Sequence, residues 1–90
     1  MDERDDIRTT ASEDTRTEAA VLRWLLALHP APVSFEEVLR AVCEQPDDFA
    51  QRDAVERAVR DLATAGLLHR NGELVVPTRA ALRFDELERV

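Results

Sequence analysis

Three side chains in this chain are of the soft or imidazole type that binds metals or attacks electrophiles: His29, Cys43 and His69. Their spacing matches no zinc pattern, which needs paired ligands a few residues apart. Cys43 shares a helical face with Leu39, so the expectation is a buried, inert thiol rather than a nucleophile. His69 alternates with Leu67 in an apolar run and reads as a half-buried strand residue. His29 falls where a helix should end, and its charge suits that end of the macrodipole. Acids are numerous, but no pair sits in an apolar surround that would raise one pKa for proton transfer. With only Gly66 and Gly72 present, no glycine-rich phosphate loop is available. No enzyme, cofactor or metal is expected.

Arginine is the remaining chemistry. All 12 basic residues are Arg and none is Lys. The guanidinium fork suits bidentate contact with carboxylate or phosphate. Against these stand 19 acids, giving a net charge of -7, which excludes a strongly basic nucleic-acid module. Ninety residues allow one domain. The apolar share of 44% supports a core, and 4% aromatics make that core aliphatic. One cysteine excludes an internal disulfide and points to a reducing compartment or to indifference to redox state. The longest apolar run, Trp24 to Leu28, is too short to cross a bilayer. The start, Met1-Asp2-Glu3-Arg4-Asp5-Asp6, lacks the apolar stretch of a secretory signal, so a cytoplasmic protein without a membrane partner is expected.

Which elements hold the arginines follows from caps and periodicity. Residues 1–14 carry little apolar surface and read as a flexible acidic tail. Thr15-Arg16-Thr17-Glu18 fits a capping box, opening a helix to Leu28 that stops at His29-Pro30. Its apolar residues span a wide arc, so it should be buried on more than one side. Ala31-Pro32-Val33 is a short extended link. Ser34 and Glu37 form a second capping box for a helix over 35–43, with Phe35, Val38, Leu39 and Val42 on one face. An acidic loop over 44–48 follows, and Asp48 caps a third helix over about 49–65. Val55, Val59 and Leu62 form its inner stripe, and Gly66 should be its left-handed C-cap.

Asn71-Gly72 predicts a two-residue hairpin turn. That register pairs Arg70 with Glu73, His69 with Leu74, Leu68 with Val75 and Leu67 with Val76. The face with Leu67, His69, Leu74 and Val76 is expected to meet the core. Thr78 caps a last helix whose inner side should be Ala80, Phe84 and Leu87.

This order resembles the winged helix-turn-helix superfamily. The resemblance rests on Ser34–Val42, on Asp53–Leu62, on Ala65-Gly66-Leu67-Leu68 and on Val76-Pro77-Thr78. "DAVERAVRDLATAGLL" reads like the third helix and strand entry of small bacterial winged-helix proteins, and the likeness covers residues 15–90. It implies a mostly α fold with a small β-hairpin: three-helix core, two-stranded wing and C-terminal helix, over a domain of 15–90. It also implies a transcription regulator that reads the major groove of double-stranded DNA with the third helix. By position, the DNA-binding candidates are Arg52, Arg57, Arg60 and Thr64 on that helix, and Arg70 and Asn71 at the wing. Arg reads guanine or grips phosphate.

A second reading belongs to a different class. Asp53 with Arg57 and Glu56 with Arg60 sit at i, i+4 in the favourable order, and Glu73 faces Arg70. The third helix and its preceding loop are net acidic. An acidic winged-helix interaction module, docking a basic protein partner or mimicking nucleic acid, fits that balance. Trp24, at the edge of the wide stripe, is expected at a homodimer interface with Leu28 and Leu82.

Overall fold

The computed structural model describes residues 3–90, with side chains from residue 11 onward. The chain folds into helix α1 (Glu3–Leu28), α2 (Phe35–Val42), α3 (Phe49–Thr64), strands β1 (Leu68–Asn71) and β2 (Leu74–Pro77), and α4 (Arg79–Glu88). This is a mostly α, winged-helix-like architecture with a small β wing.

The first helix begins well before the expected start at Thr15. No Gly or Pro interrupts residues 3–28, so nothing stops the helix from running toward the N-terminus. Thr15 does not cap. Its hydroxyl donates to the Ala11 carbonyl at 2.9 Å, and that of Thr17 donates to Glu13 at the same distance. That i to i-4 bond is the habit of a threonine inside a helix.

The core is aliphatic, as the composition requires. Val21 and Leu25 of α1, Val33, Val38, Leu39, Val55, Val59, Leu62, Leu68 and Val75 are all almost fully buried. Burying one such side chain stabilises the fold by about 1.5–3 kcal/mol. α1 is the central element, in contact with α2, α3, β2 and α4, which accounts for its wide apolar arc.

The other expected caps, at Ser34, Asp48, Gly66 and Thr78, are present. Ser34 Oγ accepts the Glu37 amide at 3.2 Å and meets Glu37 Oε1 at 3.2 Å. Asp48 accepts from Ala50 N at 2.8 Å. The Gln51 side chain accepts from the Gln45 amide at 3.0 Å and closes the acidic loop. Gly66 has φ +84. Its amide donates to Ala63 O, and that of Leu67 donates to Leu62 O; these are the two bonds of a Schellman cap. Thr78 Oγ1 accepts from Ala81 N and donates to Gly66 O at 2.6 Å, tying the start of α4 to the end of α3.

The wing differs from expectation in two ways. Asn71 pairs with Leu74, Arg70 with Val75, His69 with Val76 and Leu68 with Pro77. The loop is therefore Gly72-Glu73, not Asn71-Gly72. Gly72 has φ +63 and, among the described residues, only glycine has positive φ, the signature of a type II′ turn. Second, the opposite face meets the core: Leu68, Val75 and Pro77 are buried while His69 and Leu74 are exposed. The cause lies outside the hairpin. Val75 N donates to Val33 O and Phe35 N donates to Glu73 O, both at 2.8 Å, with Ser34 bridging Leu74. The end of the link over 31–34 thus bridges the outer edge of β2, beside a two-stranded sheet, and this docking goes with the inward turn of Val75.

The inner side of α4 is also reversed. Ala81 is buried and Leu82 and Asp85 are half-buried, whereas Ala80, Phe84 and Leu87 face out. The bonds of Thr78 set the helix entry, and that entry presents Ala81 to the core.

Candidate nucleic-acid interface

The exposed face of α3 and the base of the wing form an open groove of about 700 Å³. Arg57, Arg60 and Thr64 of α3 line it, with Arg70 of β1 opposite and Asp53 and Glu56 at its acidic end. Four of the six sequence candidates thus converge. The inner stripe of α3 explains why: with Val55, Ala58, Val59 and Leu62 buried, positions 57, 60 and 64 must project outward.

None of the three expected ion pairs forms. Arg57 Nη2 reaches Asp14 Oδ1 of α1 at 3.2 Å, a partner supplied by the part of the helix that precedes Thr15. Arg60 Nε lies 3.7 Å from its neighbour Asp61. Arg70 stands opposite Val75, not Glu73, and its guanidinium lies 4.8 Å from the centroid of the Phe35 ring. That cation–π contact holds the charge at the groove edge without neutralising it. Thr64 donates its hydroxyl to Arg60 O at 3.0 Å, which leaves the oxygen as an acceptor.

The other two candidates lie elsewhere. Arg52 is a clamp outside the groove: it reaches Glu36 Oε1 and Pro46 O, each at 3.4 Å, and ties α3 to α2 and the acidic loop. Asn71 is exposed at the end of β1. Of the expected dimer residues, Trp24 packs against the core, Leu82 is half-buried and Leu28 is exposed.

A second cleft, between α1 and the N-terminal half of α3, has the opposite sign. Glu13, Asp14, Glu44 and Asp53 line it with Arg16 and Arg57. Phe49, the first residue of α3, is 81% exposed and was not singled out from the sequence. The signal was present: Phe49 lies off the Val55–Val59–Leu62 stripe, a third of a turn away, and no second apolar face takes it up.

The remaining chemistry is quiet. Cys43 is buried; burial pushes its thiol up, against a smaller lowering by Arg52, and Asp48 adds to the rise. The nucleophilic thiolate is therefore disfavoured. Among the described residues, no group of three or more His, Cys, Asp or Glu is placed to hold a metal ion. No described helix is long and apolar enough to cross a membrane. Comparison of the chain with family models, curated proteins and solved structures gives no match.

Proposed function

We propose that the chain is a winged-helix DNA-binding protein of transcription-regulator type, with α3 in the major groove and the wing on the backbone. The observation that carries this reading is the convergence of Arg57, Arg60, Thr64 and Arg70 on one groove. Three guanidinium groups line it with two carboxylates, and Asp14 and Asp61 pair with Arg57 and Arg60 from its edge, so DNA phosphate would have to displace exposed acids there. Phosphate displaces an exposed acid at small cost, since such pairs contribute only ~0.2–1 kcal/mol. Arg57 with Asp14 is a pair of this kind, with about two-fifths of each side chain exposed.

The test is an anisotropy titration of labelled genomic double-stranded DNA at low and at higher salt. Expected is binding that weakens with salt, the slope falling by about 0.9 for each lost phosphate contact in Arg57→Ala and Arg60→Ala. Flat anisotropy at low salt, or unchanged affinity in both variants, removes the reading.

The acid-lined cleft favours a second reading, an interaction module for a basic protein segment. Carboxylates of α1, the acidic loop and α3 converge there, and Phe49 adjoins Ala50 at its wall. Under this reading a basic partner binds where DNA does not.

A further inference from the structure

Arg57 stands on the ridge between two clefts of unlike composition. It lines the groove with Arg60, Thr64 and Arg70, and it also lines the acid-rich cleft beside α1. Its Nη2 lies 3.2 Å from Asp14 Oδ1, and Asp14 lines the second cleft, not the groove. One end of the guanidinium fork is thus engaged on the α1 side of the ridge. The fold puts Asp14 there. It precedes Val21 by two helical turns and Leu25 by three, so the three residues share one stripe of α1. Val21 and Leu25 are buried, so the stripe faces inward, and α1 packs along α3. Where the stripe passes beyond the core, an acid stands in the place of an aliphatic residue. Among the described residues, this is the only ion pair that joins α1 to α3. The others join α3 to α2 or lie within a single helix and its cap.

We propose that Asp14 is a built-in competitor for the phosphate that Arg57 takes in DNA binding, so that α1 restrains the groove of the free protein. The proposal rests on the DNA reading above. A carboxylate and a phosphate ask the same of a guanidinium, namely charge-assisted N–H bonds in its plane. While Nη2 serves Asp14, the edge it forms is lost to a bidentate grip on phosphate. Binding then proceeds from the molecules in which this bond is open, and the apparent affinity falls by that fraction. The pair is exposed, so the restraint is a few-fold and not a lock. Any acid near DNA also repels phosphate at a distance. Competition differs in one respect: it acts through Arg57 and vanishes with it.

The experiment is the anisotropy titration with labelled genomic double-stranded DNA at low salt. It compares the native chain, Asp14→Asn, Arg57→Ala and the double variant. Glu13→Gln, which removes an equal charge from the same cleft, is carried alongside in the native and Arg57→Ala backgrounds. Asp14→Asn should tighten binding by about 1.5- to 5-fold, and by more than Glu13→Gln does. In the Arg57→Ala background the two acid variants should have equal effects. Urea unfolding of the native chain, Asp14→Asn, Arg57→Ala and the double variant, without DNA, should show a coupling between positions 14 and 57. Flat anisotropy for the native chain and Asp14→Asn alike overturns the DNA reading and this proposal with it. Binding with no gain in Asp14→Asn beyond that of Glu13→Gln overturns the proposal alone and leaves the DNA reading standing. So does an Asp14→Asn gain that survives undiminished in Arg57→Ala, or the absence of coupling in urea.

Discussion

Replacing Val75 by Ala, beside Leu74 by Ala, separates the two faces of the hairpin. Val75 is 1% exposed and Leu74 36% exposed. Val75→Ala deletes two carbons from the core, about 1.6 kcal/mol of transfer free energy at ~0.8 kcal/mol per methylene. The unfilled space raises the loss to about 2–3 kcal/mol. Leu74→Ala deletes three carbons, but from a site that is already wet, and should cost about 1 kcal/mol. The larger deletion therefore has the smaller effect. For a domain of this size, Val75→Ala should lower the melting temperature by roughly 10 °C. Urea unfolding followed by the fluorescence of Trp24, the one tryptophan, measures both variants, and an unchanged slope confirms that only stability moved. If Leu74→Ala proves as costly as Val75→Ala, the inward face is the one expected from the sequence and the link over 31–34 does not orient β2.

Two further outcomes test the helix ends and the buried thiol. Gly66→Ala should cost about 1–2 kcal/mol from the left-handed backbone alone, because a Cβ there meets nothing within 4 Å; a neutral result in the same urea assay would mean that the Schellman cap does not hold. The Cys43 thiol, pushed up by burial, should resist a colorimetric thiol reagent until urea unfolds the chain. Its contribution to stability is full below the ordinary thiol range and falls as pH rises through it, since the unfolded thiol ionises first. Prompt labelling of the native chain would contradict this.

The parts legible in the sequence are those specified within a few residues. Ser34, Asp48 and Thr78 cap because a short polar side chain reaches an amide two or three residues on, and Gly66 ends α3 because its backbone must be left-handed. The inner stripe of α3 was clear for the same reason: only one of its faces is apolar along its length. What was not legible depended on distant contacts. Leu67-Leu68 and Leu74-Val75-Val76 put apolar residues on both faces of the hairpin, so alternation could not choose between them; the choice comes from Val33. On α4 the more apolar side was the outer one, and periodicity alone assigns such a side to the core. The Thr15 capping box was a local match inside a helix that nothing interrupts. The candidate site divides in the same way. Periodicity placed Arg57, Arg60 and Thr64 on one surface, but their partners came from across the fold: Asp14 for Arg57 and the Phe35 ring for Arg70.

The link over 31–34 does more than choose a face. It fastens β2 through Val33 and Phe35, while the Arg70 guanidinium lies on the Phe35 ring. The wing is thereby anchored at both of its strands to the start of α2, and Thr78 fixes its exit to the end of α3. Its angle to α3 is set by folding, before any ligand arrives. A surface that engages both the wing and α3 meets them already at their working angle. The entropy of ordering a loose flap has been lost at folding and is not charged against the encounter.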